Sequence, residues 1–176
     1  MIQYSKRMVI THWLTLALLV AAWFLGDSLA SATDDNKATF TGYFLHISVG
    51  GAILLLTMMR IYFRRNDGTP LLLADTKGYQ VAAKAVHYTL YALLILLPVS
   101  GVVTLISGGA AQALLSGDAK LLPTEKDYED LFALAVHETL VTILIVLVVL
   151  HILGAIKHQF IMKDGLMSRM SWRKRI

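Results

Sequence analysis

The chain of 176 residues is 56% hydrophobic and only 16% charged, against about 25% charged for an average soluble domain, so it reads as neither soluble and globular nor disordered. It holds no cysteine, which excludes disulfide frameworks, thiolate zinc sites and cysteine-ligated iron–sulfur clusters. Its formal net charge of +4 would suit nucleic acid or an anionic membrane, and only the distribution of that charge can decide.

Four apolar runs lie between charged residues. The first extends from about Met8 to Leu25. It follows Lys6 and Arg7 and precedes Ala30-Ser31-Ala32, the layout of a secretory signal with its cleavage motif. The run is longer than the usual ~7–15-residue signal core, and His12-Trp13 sits inside it, so a retained first helix is expected. The second run covers Tyr43 to Phe63, the third Val86 to Ile106 and the fourth Leu131 to Ile156. Each is near or above the ~20 residues that cross ~30 Å of hydrocarbon as a helix. Only Arg60 and Glu138 carry formal charge within these runs. Pro98 is expected to bend the third helix, which a membrane span tolerates when neighbours satisfy the freed carbonyl. The expectation is an all-α, integral membrane four-helix bundle forming a single domain over residues 1–176.

Charge distribution predicts the orientation. The N-terminal tail, the loop after the second run and the C-terminal tail hold thirteen of the sixteen basic residues, and the two remaining loops hold only Lys37, Lys120 and Lys126. The positive-inside rule then places both termini and the middle loop in the cytoplasm, as in a multi-pass protein of a bacterial inner membrane. Acidic residues run the other way: nine fall outside and only Asp67, Asp75 and Asp164 inside. The basic total thus reflects topology and contact with anionic lipid, and nucleic acid is rejected as a partner. The stretch from Lys163 to Ile176 mixes Met, Leu and Trp with basic residues and is expected to lie on the inner leaflet.

Five of the six histidines fall inside or at the ends of the spans, where ionisable side chains are rare and usually functional. His46 and His137 lie toward the outside, and His12, His87 and His151 toward the inside, while His158 follows Lys157 at the inner surface. His137 and His151 are 14 residues apart on one helix, a rise of about 21 Å that returns to within ~40° of the same face. Two ligands on one face, four turns apart, suit two haems stacked across a bilayer, because haem iron takes two axial donors on opposite sides. As the only other histidine of the outer layer, His46 pairs with His137; in the inner layer, His12 and His87 both remain open as the partner of His151. Gly50 lies one turn from His46, and Gly154 with Ala155 one turn from His151, where missing side chains would let a flat macrocycle approach or helices pack closely. A non-haem metal would call for three or four ligands and usually a carboxylate, and the spans offer only Glu138. A proton relay or transporter would show mid-span acids or broken, repeated helices.

Tyr4-Ser5 before His12-Trp13, the His46–Gly50 stretch, Arg60, the Pro98 helix, His137-Glu138-Thr139-Leu140, His151 and Lys163-Asp164 occur in this order across the whole chain. Together they resemble the bacterial di-haem cytochromes b of the b-561 type, related to the cytochrome b subunits of hydrogenases and formate dehydrogenases. The resemblance implies two bis-histidine b haems, with His12 and His151 on the inner iron and His46 and His137 on the outer. It implies electron exchange between an outer-face donor and membrane quinone, either by a stand-alone monomeric or homodimeric quinone oxidoreductase or by a membrane subunit wiring a periplasmic redox partner to quinone. His87 becomes a neighbour of the inner ligands or a propionate contact, Arg60 and Arg64 propionate partners, and His158 the candidate for quinone hydrogen bonding. Some members of the family are thought to oxidise superoxide; an anion is steered by a basic rim, whereas the outer loops here are acidic, so a cationic or protein donor is expected instead.

Overall fold

The computed structural model describes residues 3–35, 37–70 and 77–171, with the backbone alone for Lys77 and Tyr79. Four long helices are present: α1 (Lys6–Asp34), α2 (Phe40–Asp67), α3 (Lys77–Ser107) and, after the short α4 (Ala110–Ser116) and α5 (Glu125–Tyr128), α6 (Phe132–Ile156). All four are long and apolar enough to cross a membrane, as expected of a multi-pass protein. At one end at least, α1, α2 and α3 run past their apolar runs by a turn or more, because polar flanks add backbone hydrogen bonds at no desolvation cost once they reach water, whereas α6 keeps to its run. Caps set the starts: Ser5 accepts from the Met8 amide and Thr39 from the Gly42 amide. α3 continues as helix through Pro98.

α1 packs along α2 and α3 along α6, and the two pairs meet through α2 and α3. The buried core consists of Ile53, Leu93, Leu94, Leu97 and Leu144. Ile53 stands seven residues from both His46 and Arg60, and Leu144 seven from both His137 and His151. Seven residues are about 10 Å of helix, so the dry core sits midway between the two histidine layers. Outward, the helices present Phe24, Phe44, Leu55, Ile106 and Val146, the apolar surface that lipid covers.

Both described ends of the chain lie at one end of the bundle, here the base. Arg7 and Ser5 on α1 both bind the Asp67 carboxylate of α2, Arg7 Nε donating at 2.7 Å, and the Arg7 guanidinium lies 4.5 Å over the Phe63 ring. The tail expected along the inner leaflet is tied to α1: the Tyr4 amide donates to the Arg169 carbonyl, Gln3 Nε2 to the Ser168 carbonyl and Trp13 Nε1 to the Met170 carbonyl. Its last residues, 172–176, with Arg173, Lys174 and Arg175, and Asp75 in the middle loop, lie outside the described residues. At the far end, the Tyr128 and Tyr43 hydroxyls pair at 3.2 Å. A Cβ on Gly108 would run into the Tyr128 ring, so glycine there lets the α4–α5 segment close over α2 and α3.

Candidate functional site

The histidines meet in the two layers that spacing predicted. Toward the far end, the His46 and His137 ring centres are 6.4 Å apart; toward the base, those of His12 and His151 are 6.2 Å apart. A metal–imidazole bond of about 2.0–2.1 Å plus about 1.1 Å from nitrogen to ring centre, counted on both sides, puts two imidazoles on opposite sides of one iron about 6.3 Å apart. Both pairs match that span. His87 is also in the lower layer, but its ring centre is 5.3 Å from that of His151, about 1 Å too close to share an iron with it in this arrangement. Spacing alone left His12 and His87 equal; the separations favour His12.

Hydrogen bonds fix which ring nitrogen is free. Ser100 Oγ donates its one proton to the Leu97 carbonyl at 2.9 Å, so at 2.8 Å from His137 Nδ1 it accepts the ring N–H. The lone pair of His137 is therefore on Nε2, the atom a ligand histidine offers metal. His87 Nδ1 likewise donates to the Ala83 carbonyl at 2.6 Å. His46 Nδ1 is buried without a well-formed hydrogen bond among the described residues, the Ala22 carbonyl being a weaker partner.

His12 differs. Arg60 Nη1 is 2.6 Å from His12 Nδ1, and a guanidinium has only donors, so that nitrogen accepts here. The same guanidinium lies 5.9 Å from the Tyr91 ring centre, and Arg60 Nε and the Tyr91 hydroxyl are both buried without a well-formed hydrogen bond among the described residues, the two side chains being weak partners of one another. Two buried donors side by side with bonding capacity to spare favour an anionic acceptor such as a carboxylate. Arg60 was expected to meet a propionate; it stands beside His12, with an open hydrogen-bonding capacity that suits one.

Glycines divide into two kinds. A Cβ on Gly26 would lie 3.0 Å from His46 Cε1, and one on Gly101 3.3 Å from His137 Cε1, so these two seat the upper rings. At Gly50 and Gly154, one turn from His46 and His151, a Cβ would meet nothing within 4 Å, so close helix packing is not what these two glycines serve. Among the described residues no three His, Asp or Glu side chains converge on a metal-sized site.

His158 stands apart from both layers. Its Nδ1 donates to Asp164 Oδ2 at 2.5 Å at the base of the bundle. Ser100, Tyr91, Gly26 and Gly101 were not singled out from the sequence, and Asp164 only as part of the Lys163-Asp164 motif. Ser100 and Gly101 follow Pro98 at a depth near that of His137, and Tyr91 is one turn from His87, but nothing in one sequence marks a mid-span Ser, Gly or Tyr as facing a histidine rather than lipid.

The sequence pattern of the family described as prokaryotic cytochrome b561 matches residues 3–173. Among individual relatives, cytochrome b562 of Cereibacter sphaeroides is 28% identical over 95% of this chain and 94% of its own length. A protein of Yersinia pestis named probable superoxide oxidase CybB is 29% identical over 98% of both chains. Cytochrome b561 homolog 1 of Escherichia coli K12 is 25% identical over 98% of this chain and 99% of its own.

Proposed function

We propose that this chain, which belongs to the prokaryotic cytochrome b561 family, holds two b haems in its two histidine layers and moves electrons between a donor at the far end and membrane quinone at the base. Family membership and four apolar spans make it a multi-pass membrane haem b protein of electron transfer. The observation that carries the finer reading is the pair of ring separations, 6.2 and 6.4 Å, each suited to one iron. When bound, haem supplies a one-electron carrier that no side chain in the spans could provide.

The chain's own residues do the rest. His46 and His137 hold the upper group and His12 and His151 the lower, with Ser100 keeping the His137 proton on Nδ1. A haem carboxylate at the base would draw Arg60 and Tyr91 to itself, leaving His12 Nδ1 to carry a proton and Nε2 to serve as the ligand. His87 borders the lower layer without ligating. The Ile53–Leu94–Leu144 core keeps water out between the layers, which holds the dielectric low along the path. By the positive-inside rule the base is cytoplasmic, so the donor acts from the periplasm and His158 meets quinone at the inner leaflet of the inner membrane.

One relative is named a probable superoxide oxidase. The far-end loops here hold three cations against eight acidic residues, a field that repels a small anion, so a cationic or protein donor suits this chain better. The α4–α5 segment packs down on Tyr43 and leaves little docking area, which favours a stand-alone quinone oxidoreductase over a subunit wired to a large periplasmic partner. Haem content of the purified protein and of four variants tests the reading. Two haems are expected in the wild type, the same one lost in His46→Ala and His137→Ala, the other in His12→Ala and His151→Ala, and both kept in His87→Ala. Loss in His87→Ala with retention in His12→Ala would overturn the lower pairing.

A further inference from the structure

The fourth span ends in an unusual way. Past Ile156 the backbone widens into a π turn over Lys157–Met162, and such turns are rare and concentrate at functional sites. Lys163 then takes a left-handed conformation, φ 51°, and the Asp164 amide reaches back to the His158 carbonyl at 3.3 Å. This reversal sets the Asp164 carboxylate against the imidazole of His158. Oδ2 accepts from His158 Nδ1 at 2.5 Å and Oδ1 from the Leu166 amide at 3.0 Å. With Nδ1 committed to the carboxylate, Nε2 is the nitrogen left to face a substrate.

A cavity of about 440 Å³ adjoins Asp164, lined also by Gln159, Phe160, Lys163 and Gly165. Gln159 Oε1 is buried with no hydrogen-bond donor among the described residues, a state that water in a polar cavity ordinarily relieves. The charged groups facing Asp164 are His158 and Arg169, with Lys163 beside it on the cavity wall. Burial opposes the charge of Asp164, but the bonds from His158 and the Leu166 amide, with the field of Arg169, outweigh it and hold the carboxyl below its usual pKa. Asp164 is thus an anion built into the turn, paired with a histidine on one side and open to a water-sized space on the other.

We propose that Asp164 and His158 form the proton-delivery pair for quinone reduction, with Asp164 as the positioning residue and the Gln159-lined cavity as the proton entry. This rests on the reading above that quinone binds at His158. Reducing a quinone takes two electrons, drawn singly from the reduced lower haem, and two protons, and turns both carbonyl oxygens into hydroxyls. For each proton, the imidazolium of His158, steadied by the Asp164 carboxylate, breaks its Nε2–H bond as a quinone oxygen forms an O–H bond. The ring, left neutral with Nδ1 still protonated, regains a proton at Nε2 from water that enters by way of the cavity once the quinol oxygen has moved off. Asp164 does not touch the quinone; it keeps the ring oriented and offsets the charge that appears on it, the role a carboxylate plays behind a catalytic histidine.

The test uses the haem-loaded protein, reduced with dithionite and mixed with decylubiquinone while haem absorbance follows reoxidation; quinone affinity is measured separately by equilibrium titration. In Asp164→Asn, reoxidation should slow by about tenfold or more, a part of the ~10²–10⁴-fold that general acid catalysis contributes. Affinity should stay within about threefold, because the carboxylate makes no contact with the quinone. Added formate, a mobile carboxylate that can take the vacated place beside the ring, should restore much of the lost rate, and Asp164→Glu should retain more of it than Asp164→Asn. An unchanged rate in Asp164→Asn, or a loss matched by weaker affinity and untouched by formate, overturns the proposal. Wild-type haem that quinone does not reoxidise overturns the quinone reading itself and the pair with it. One measurement needs no variant: wild-type reoxidation should slow by about twofold or more in D₂O, and the absence of any such effect also refutes proton delivery as a controlling step.

Discussion

Replacing Ser100 by alanine removes the acceptor that holds His137 by its Nδ1 proton while leaving the ring in place. The wild-type hydroxyl sits 2.8 Å from Nδ1 and spends its own proton on the Leu97 carbonyl. Without it, the ring N–H keeps only the Leu97 carbonyl as a weaker acceptor, so up to the full cost of an unmade buried hydrogen bond, about 1–3 kcal/mol, is felt. Loss of a comparable outer partner of a ligand histidine typically weakens metal binding about 10–100-fold, or about 1.4–2.7 kcal/mol, so two independent routes to the figure agree. Only one of two haems should feel it, the one that His46→Ala also removes. Transfer of haem from the protein to an excess of apomyoglobin would measure it: the upper haem should leave about 10–100 times faster from Ser100→Ala, and the lower at the wild-type rate. A redox titration should move one midpoint potential and not the other. If both haems leave at wild-type rates, or if the haem affected is the one His151→Ala removes, the assigned hydrogen bond or the layer it belongs to is wrong.

Gly26→Ala would place a Cβ 3.0 Å from His46 Cε1, so the ring must move by a few tenths of an ångström or turn; the low-spin electron paramagnetic resonance signal of one haem should shift while the other stays unchanged. Reduction by superoxide should fall well below the diffusion limit and speed up with added salt, because ions screen the repulsion of an anion by the acidic far-end loops; a rate that is near-diffusional and slows with salt would contradict this. Asp127 accepts from the Thr124 amide and hydroxyl, both at 2.8 Å, and these bonds depress its pKa below the usual 3.8. The stabilisation is present above the unfolded-state value and lost as pH falls through the lower folded one, so hydrogen exchange across 124–128 should accelerate only in that acid range, and Asp127→Asn should flatten the response.

The four spans and the depth of each histidine were legible from sequence because hydrocarbon thickness converts directly into residue count and a helix converts residue count into height. His46 and His137 could be paired on that basis alone, being the only two in their layer. Three histidines shared the other layer, and height cannot tell them apart; the choice needed the ring separations, 6.2 Å for His12 and 5.3 Å for His87, which depend on how the helices rotate about their axes. Rotation is set by packing at Ile53, Leu94 and Leu144, and no single helix encodes it. The same holds for Ser100 and Tyr91, ordinary mid-span residues until the fold turns them toward a ring.

The tail shows the division at its clearest. His158 was visible as a histidine beside Lys157 at the membrane surface, and Asp164 as part of a short motif, with nothing to join them. A regular helix continued through Asp164 would put the two six residues apart and far around the axis, since six steps of ~100° carry a side chain most of two turns. The π turn and the left-handed Lys163 bring the carboxylate back against the imidazole. What the sequence determined by itself is a height in the bilayer for each ionisable group and the side of the membrane its charge prefers, because both follow from counting. What only the tertiary structure decided is which groups at one height face each other, because that depends on helix rotation and on breaks in helical geometry that arise from packing between segments.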